Sequence, residues 1–219
     1  MMDLLRRNLG HEIRNPLGGI RGAAQMMAAE LEGRELGTLA KLIMREVDRI
    51  DELLERFGRP ELECRPVDIH HVLGEATELL RLEFTQEVRI IQNYDPSIPE
   101  LSADSSALRQ MLLNLLLNAF QAGATEIEVR TRVDYDNTLL EPGVSRILRL
   151  DIMDNGQGVP ESLRSMLFLP MVTGRRDGTG LGLALAQQIA VAHKGMLTYA
   201  PLEAGSRFTL RLPLESGDD

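Results

Sequence analysis

Two long stretches of helical periodicity open the chain and restrict its fold more than any other feature. Apolar residues recur every three or four positions from Leu9 to Leu31 and again from Leu36 to Phe57. The connection, Glu32-Gly33-Arg34-Glu35, is short, so we predict an antiparallel hairpin of helices about 35–40 Å long at 1.5 Å per residue. A single hairpin leaves part of its apolar surface uncovered. A second copy would cover it in a four-helix bundle, so we expect a homodimer built on residues 1–58.

Net charge divides the chain where this pattern ends. The 219 residues include 24 Lys and Arg and 33 Asp and Glu, a net charge of -9. Residues 1–60 hold ten of each sign, so 61–219 carries the whole acidic excess. Glycine and proline between Gly58 and Pro66 stop the helical pattern, which predicts a hairpin at 1–58, a linker at 59–66 and a second domain at 67–216. The acidic balance argues against nucleic-acid binding by bulk electrostatics.

Composition indicates a soluble globular protein, with 43% hydrophobic and 26% charged residues. The most apolar stretch, Met111 to Phe120, is interrupted by Asn114 and Asn118 and falls short of the roughly 20 apolar residues that a membrane helix needs. Cys64 is the one cysteine, so no internal disulfide can form, which fits a reducing compartment. We therefore predict a cytoplasmic protein without a membrane partner.

The second domain alternates between helical and strand patterns. Residues 124–133 alternate apolar and charged side chains, which is typical of a sheet with one solvated face. Helices on one face of a mixed or antiparallel sheet form a two-layer α/β sandwich, so the whole chain is predicted to be α+β. The predicted helices are 72–84, 104–122 and 179–193, and the predicted strands are 88–93, 124–133, 147–153 and 207–214.

One segment of the hairpin contains side chains that could take part in a reaction. His11 lies two residues from Ile13, a rotation of about 200°, so its ring should point away from the apolar face. Asn15 shares that face, Glu12 is adjacent, and Pro16 removes a helical hydrogen bond. A neutral imidazole can attack a phosphoryl group, and a carboxylate can take its proton. This segment alone leaves open the alternative of an ordinary surface histidine.

Two groups of residues in the second domain are candidates for a ligand site. Asn114 and Asn118 share one face of an apolar helix, where they either bond to the backbone or hold Mg²⁺ with its waters and nucleotide phosphates. Asp154, followed by Gly156 and Gly158, ends a predicted strand. Its carboxylate could accept a hydrogen bond from adenine N6, while the glycines let the backbone approach a flat ring. The same residues are also compatible with an ordinary turn.

A third candidate is the glycine-rich segment from Gly178 to Leu183, which begins a predicted helix. Free amides at a helix start can bind phosphate. The segment is neither a Walker A sequence, which needs Gly-Lys-Ser/Thr, nor a dinucleotide fingerprint after a first strand.

In this order, with Phe168-Leu169-Pro170 between the last two groups, the motifs resemble the N, G1, F and G2 boxes of the ATP-binding domain of histidine kinases. His11-Glu12-Ile13-Arg14-Asn15-Pro16-Leu17 resembles their H box, so the resemblance covers nearly the whole chain. Residues 11–25 and Leu167–Arg175 are most similar to the nitrogen-regulatory NtrB-type sensor kinases. Those proteins usually carry an N-terminal sensory PAS domain, so we expect this sequence to be part of a longer protein.

The resemblance implies an ATP-dependent protein histidine kinase with ATP and Mg²⁺ as cofactors. His11 would be the phosphoacceptor, Glu12 its proton acceptor, and Asn15 would orient a water molecule for dephosphorylation of the regulator. Asn118 would ligate Mg²⁺, assisted by Asn114. The other implied nucleotide-binding residues are Asp154, Gly156 and Gly158 around adenine, Gly178, Thr179, Gly180, Leu181 and Gly182 around the phosphates, and Phe168, Arg175 and Arg176 in a lid of about 159–178.

Two of these roles have alternatives. Phe168 either anchors the lid or helps to close it. Either Arg175 or Arg176 steadies the γ-phosphate, or both are ordinary solvated lid residues.

The implied partners are a second copy of the chain, the receiver domain of a separate response regulator and a regulatory signalling protein. Two other function classes stay open. One is an ATPase or serine kinase of the same superfamily, such as gyrase or the Hsp90 chaperone, in which the histidine hairpin is lacking. The other is a non-catalytic dimeric scaffold whose conformation is set by nucleotide. Acid-labile phosphate that depends on His11 would separate the kinase from both.

Overall fold

The structure, a computed structural model, describes residues 20–22, 24–27, 40, 43–44, 47, 62–83, 88–135, 146–175 and 179–214. The chain divides into two units, Met1–Pro60 and Glu61–Asp219. In the first unit the described residues are helical. Ala24, Ala40 and Val47 are buried, whereas Ile20 and Ile43 are more than 40% exposed in the single chain. The rest of the predicted hairpin lies outside the described residues, so the hairpin and its bundle stay predictions.

The second unit contains the helices and strands that build the candidate site. Its helices are α1 (Ile69–Glu83), α2 (Ser105–Gln121), α3 (Glu161–Arg164) and α4 (Gly182–Ala192). Its strands are β1 (Arg65–Val67), β2 (Arg89–Asn93), β3 (Leu101–Ala103), β4 (Glu126–Asp134), β5 (Arg146–Asp154), β6 (Met196–Pro201) and β7 (Ser206–Leu214).

The strands form a mixed five-stranded sheet in the order β2-β4-β5-β7-β6 and a two-stranded sheet of β1 and β3. In the larger sheet β2 runs parallel to β4, and the remaining pairs are antiparallel. The register of β5 and β7 sets Asp154 opposite Ser206 at one edge of the site. Strand β4 buries Ile127, Val129 and Thr131 and turns the alternate positions outward, as its sequence pattern predicted.

Helices α1, α2 and α4 cover one face of this sheet. Helix α2 contacts α1, α4 and β5, and α4 contacts β6 and β7. Helix α2 begins at Asp104, whose side chain accepts a hydrogen bond from the Ala107 amide as an N-cap. Apolar residues spaced three and four apart put one side of α2 in the core, so truncating one of them to alanine should cost about 2–5 kcal/mol. These buried residues are Leu108, Met111, Leu112, Leu115, Leu116 and Ala119.

A small polar network joins the C-terminal end of α4 to the start of α2. The buried His193, at the C-cap of α4, accepts a hydrogen bond at Nε2 from the Asp104 amide, 3.0 Å away, and its Nδ1 lies 2.8 Å from the Ile189 carbonyl oxygen. Asp104 also accepts a hydrogen bond from the Glu63 amide. The imidazole therefore acts as a neutral structural group, and burial lowers its pKa.

The predicted α/β sandwich is confirmed, and each predicted helix and strand of the second domain is present within a few residues. Three short elements, β1, β3 and α3, and the longer β6 were not predicted. Arg65 and Pro66, which the sequence placed in the linker, lie in β1. Among the described residues, no helix is long and apolar enough to cross a membrane.

Candidate functional site

Asp154 ends β5 with a carboxylate that is almost fully buried. The residue is 5% exposed, and its side chain accepts a hydrogen bond from the Gly156 amide at 2.8 Å. Backbone and side chain of Ser206 also hydrogen-bond to it. Burial raises the pKa of Asp154 despite these bonds, which act in the opposite direction. The site therefore holds a desolvated acceptor in a fixed orientation, as recognition of a donor on a flat ring requires.

The loop after Asp154 passes so close to its neighbours that side chains do not fit. A Cβ on Gly156 would lie 2.7 Å from the Ala122 carbonyl oxygen, at the end of α2. Gly158 has φ +69, and its Cβ would lie 3.1 Å from the carbonyl oxygen of Gly205. The amide of Gln157, between the two glycines, donates to the Ala122 carbonyl oxygen at 3.0 Å. Glycine is thus required by both space and backbone conformation at this edge.

Asn155 has a structural role between these groups. Its Oδ1 accepts hydrogen bonds from the amides of Thr125 and Glu126 at 2.9 and 3.0 Å, and its Nδ2 donates to the Thr125 hydroxyl at 3.0 Å. The side chain thereby fixes the loop to the start of β4, which accounts for a residue that the sequence reading left without a role.

Helix α2 presents Asn114 and Asn118 toward the same region. The Nδ2 atom of Asn114 is buried and has no hydrogen-bond partner within the described part of the chain. A Cβ on Gly182, the first residue of α4, would lie 3.7 Å from Asn114 Oδ1, so this amide faces the start of α4. Leu181, the N-cap of α4, makes no side-chain cap bond. An unpartnered amide beside an uncapped helix start fits a polar ligand such as phosphate with its metal ion.

The donor set restricts how a metal ion could be held. Among the described residues, no group of three or more His, Cys, Asp or Glu side chains could hold one. Amide oxygens are suitable ligands for Mg²⁺, which keeps several waters and binds substrate phosphates. The half-buried Asn118 and its neighbour Asn114 fit this mode, in which few protein ligands are needed.

The glycine-rich segment is in direct contact with the lid. Gly180 has φ +66, and a Cβ on it would lie 2.6 Å from the carbonyl carbon of Met171 and from the amide nitrogen of Val172. Its carbonyl accepts the Met171 amide at 3.0 Å, and Met171 itself has φ 65. Thr179 is exposed, and Gly178 lies outside the described residues. The lid thus packs directly against Gly180, just before the start of α4.

The structure shows the contacts of two lid residues, Phe168 and Arg175. Phe168 is half-buried and packs against the core, the arrangement expected of an anchor. Arg175 donates through Nη2 to the Asn118 carbonyl oxygen at 3.1 Å and through Nη1 to Gln121 Oε1. Arg176 lies outside the described residues, as do His11, Glu12 and Asn15 in the first unit.

Family models match both parts of the chain. Residues 103–216, which contain every described member of the site, match the histidine kinase-, DNA gyrase B- and HSP90-like ATPase family. The chain belongs to this ATPase family. Residues 1–61 match the His Kinase A phospho-acceptor domain, so the chain has the two parts of a sensor histidine kinase catalytic core.

Several known proteins are similar to this ATPase-family chain. A sensory histidine kinase/phosphatase NtrB of Escherichia coli O157:H7 is 40% identical over 215 residues, which are 96% of this chain and 62% of that protein. Full-length ShkA in complex with AMPPNP is similar in fold, with a TM-score of 0.62, 24% identity, and coverage of 98% of this chain and 46% of ShkA. The mycobacterial sensor histidine kinase MprB gives a TM-score of 0.56 at 27% identity, over 69% of this chain and 98% of that structure. The chain spans less than two thirds of the length of its NtrB relative.

Sequence reasoning missed Ser206 and Gln121. Ser206 reaches Asp154 because β5 and β7 pair in that register, and Gly205, with φ +90, leaves no room for a Cβ beside the Asp154 carbonyl. The signal was a glycine followed by a hydroxyl residue directly before an alternating strand. Gln121 gave no signal, since an exposed glutamine at a helix end is ordinary.

Proposed function

We propose that the chain is an ATP-dependent protein histidine kinase of the nitrogen-regulatory type. It phosphorylates itself on His11, passes the phosphoryl group to an aspartate of a separate response regulator and also dephosphorylates that regulator. The observation that carries the proposal is the buried acceptor Asp154, set in one domain with an unpartnered amide on α2 and an uncapped start of α4. The two family matches and the 40% identity to a sensory histidine kinase/phosphatase NtrB support it.

In this proposal Asp154 accepts the exocyclic amine of adenine. Gly156 and Gly158 form the turn beside the ring, and Ser206 holds the carboxylate in place. A carboxylate that is already desolvated loses little hydration when the ring binds. Because it is an acceptor, it favours a purine with an amino group over one with a carbonyl, which would leave two acceptors facing each other.

The phosphates are assigned to the opposite end of the site. Amides at the start of α4, from Gly180 to Gly182 together with Gly178 and Thr179, would donate to the phosphate oxygens. Asn118, assisted by Asn114, would hold Mg²⁺, which when bound neutralises charge on the phosphates. Arg175 adds a cation beside Asn118, which supports it as a γ-phosphate residue.

Transfer requires a nucleophile from the first unit. His11 attacks the γ-phosphorus as Glu12 takes its proton, so a nitrogen–phosphorus bond forms, the bond to the bridging oxygen breaks and ADP leaves. In the reverse activity Asn15 orients the water that hydrolyses the acyl phosphate of the regulator. Positioning supplies much of the rate, because the protein contributes little other covalent chemistry.

The proposed organisation is a dimeric hairpin at 1–58, a linker at 59–66 and an ATP-binding domain at 67–216. The division of the chain after Pro60 supports it. Ile20, Met27 and Ile43 belong to the apolar residues of the two stretches of helical periodicity. They are 49%, 43% and 41% exposed in the single chain, as expected of a surface that a second copy covers. The response regulator, the regulatory signalling protein and the cytoplasmic location stay predictions.

Incubation with γ-³²P-labelled ATP tests the central claim. We expect acid-labile, alkali-stable label on the protein, lost in His11→Gln while nucleotide binding is kept. Hydrolysis of ATP without protein label would favour an ATPase, and acid-stable label a serine kinase. Nucleotide binding with neither activity would favour the scaffold.

A second variant tests the division of labour in the hairpin. Asn15→Ala should lower dephosphorylation of a phosphorylated receiver domain while autophosphorylation is kept. Equal loss of both activities would refute the role assigned to Asn15.

A further inference from the structure

The last turn of α2 holds the lid through one arginine. Arg175 Nη2 donates to the Asn118 carbonyl oxygen at 3.1 Å, and Nη1 donates to the Gln121 side-chain oxygen. The Arg175 amide also donates to Thr173 Oγ1 at 3.1 Å, which fixes the backbone of the lid at this point. The lid backbone at Arg175 is therefore held by its own loop, and the guanidinium is held by the end of α2.

The charge of Arg175 has no acidic partner in the described part of the chain. Its two side-chain acceptors are neutral, and burial lowers its pKa without a contribution from a nearby carboxylate. Some other arginines of this acidic domain do have such partners, for example Arg109 with Glu75 and Arg130 with Glu128, each at 2.8 Å. The guanidinium is exposed and keeps N–H groups beyond the two that contact α2, so it can also bind an anion.

The position of the Arg175 charge indicates which anion it would bind. Because Arg175 binds the carbonyl oxygen of Asn118, the guanidinium lies beside the residue whose side chain is proposed to hold Mg²⁺. We propose that Gln121 is a positioning residue that holds Arg175 for the terminal phosphate and thereby makes the site favour nucleoside triphosphate over diphosphate. This inference rests on the proposed function. Gln121 acts through Arg175 and does not itself touch the nucleotide.

A structural explanation of the same contacts makes a different prediction. An arginine at the C-terminal end of a helix can simply satisfy its last carbonyl groups and stabilise the helix dipole. In that case the contacts would affect the stability of α2 and the lid, and loss of Gln121 would change the affinity for diphosphate and triphosphate by the same factor.

The experiment is a double-mutant cycle measured by titration calorimetry on the full chain. Dissociation constants for ADP and for a non-hydrolysable ATP analogue, both with Mg²⁺, are measured for the wild type, Gln121→Met, Arg175→Ala and the double variant. Methionine keeps the length of the glutamine side chain but lacks the side-chain oxygen that accepts the hydrogen bond from Arg175. Gln110→Met is the matched control, since Gln110 is exposed on the same helix. The apo melting temperature of each variant reports on folding.

We expect Arg175→Ala to weaken binding of the ATP analogue about 10- to 100-fold and Gln121→Met about 3- to 10-fold, with ADP binding changed less than about 2-fold. Gln121→Met should have no further effect when Arg175 is already alanine. Equal effects on both nucleotides, or additive effects of the two variants, would overturn the inference. If the wild type binds neither nucleotide, the proposed function fails; if it binds both and Gln121→Met does not change selectivity, only this inference fails.

Discussion

Replacing Asp154 with asparagine should separate nucleotide binding from folding. Asp154 is 5% exposed, and its side chain accepts hydrogen bonds from Gly156 and Ser206. Asparagine has the same shape and keeps one acceptor oxygen, but it removes the charge and turns an N–H group toward one of the present donors. If the carboxylate recognises adenine, the amide nitrogen can also face the exocyclic amine, donor against donor.

The expected loss of affinity is large. A hydrogen bond to a charged group contributes about 1.5–3 kcal/mol, so nucleotide binding should weaken about 10- to 150-fold. The effect on stability should be small or opposite in sign. Burial raises the pKa of Asp154, which means that the folded site disfavours the charge that asparagine removes. One impaired internal hydrogen bond costs about 1 kcal/mol, so the free energy of unfolding should change by about 1 kcal/mol or less.

The sign of the pH dependence gives an independent check. Because the folded pKa of Asp154 is raised above its ordinary value of 3.8, the folded state binds this proton more tightly than the unfolded state. Stability contributed by this group is therefore present below pH 3.8 and lost as pH rises through the folded pKa. The stability of the wild type relative to Asp154→Asn should increase as the pH falls from neutral toward 4.

Asp151 provides a matched control on the same strand. It is 3% exposed and three residues from Asp154, hence on the opposite face of the sheet. Its carboxylate accepts the Thr209 hydroxyl at 2.6 Å and pairs with Arg149 at 3.0 Å. Asp151→Asn should lower the free energy of unfolding by about 1–3 kcal/mol and leave nucleotide affinity unchanged.

Titration calorimetry with a non-hydrolysable ATP analogue and urea unfolding of the apo protein measure the two quantities. The reasoning fails if Asp154→Asn binds the analogue like the wild type, or if it unfolds more than about 2 kcal/mol more easily while Asp151→Asn does not.

Three further outcomes follow from the contacts. Asn155→Ala removes three hydrogen bonds of an exposed side chain and should lower stability by about 1–2 kcal/mol in urea unfolding, with Asn155→Asp losing less. Burial lowers the pKa of His193 from 6.5, so the free energy of unfolding should fall below pH 6.5 by up to about 1.4 kcal/mol per pH unit, a slope that should disappear in His193→Gln. Gly180→Ala should displace the lid at Met171 and weaken binding of the ATP analogue in calorimetry, whereas Gly74→Ala, where a Cβ meets nothing within 4 Å, should not.

The sequence predicted the regular elements of the second domain because each long element has one buried face. Helix α2 and strand β4 show this directly, since their apolar residues recur at the period of a helix and of a strand. The three-residue strands β1 and β3 are too short to show a period, and β1 contains Pro66. Their pairing depends on a partner far along the chain, which local patterns do not encode.

The residues of the candidate site also divide into those that local sequence patterns predict and those that they do not. Asp154 and the glycines were predictable as candidates because they lie where a regular element ends and the chain reverses, which those residue types allow. Ser206 was not, because its contact with Asp154 exists only through the register of β5 and β7. Gln121 was not, because its contact with Arg175 joins a helix end to a lid 54 residues away. Long-range contacts of ordinary polar residues leave no local signal.

The distribution of charge explains how an acidic domain could bind a polyanion. Residues 61–219 carry the whole net charge of -9, so overall attraction cannot favour a nucleotide. Arg109 and Arg130 are neutralised by carboxylates, whereas Arg175 is held by neutral acceptors beside Asn118. The start of α4 adds amides without a side-chain cap. The end of α2 and the start of α4 thus offer a nucleotide a local cation and free amides, while the acidic excess of the domain discourages binding of larger polyanions such as nucleic acid.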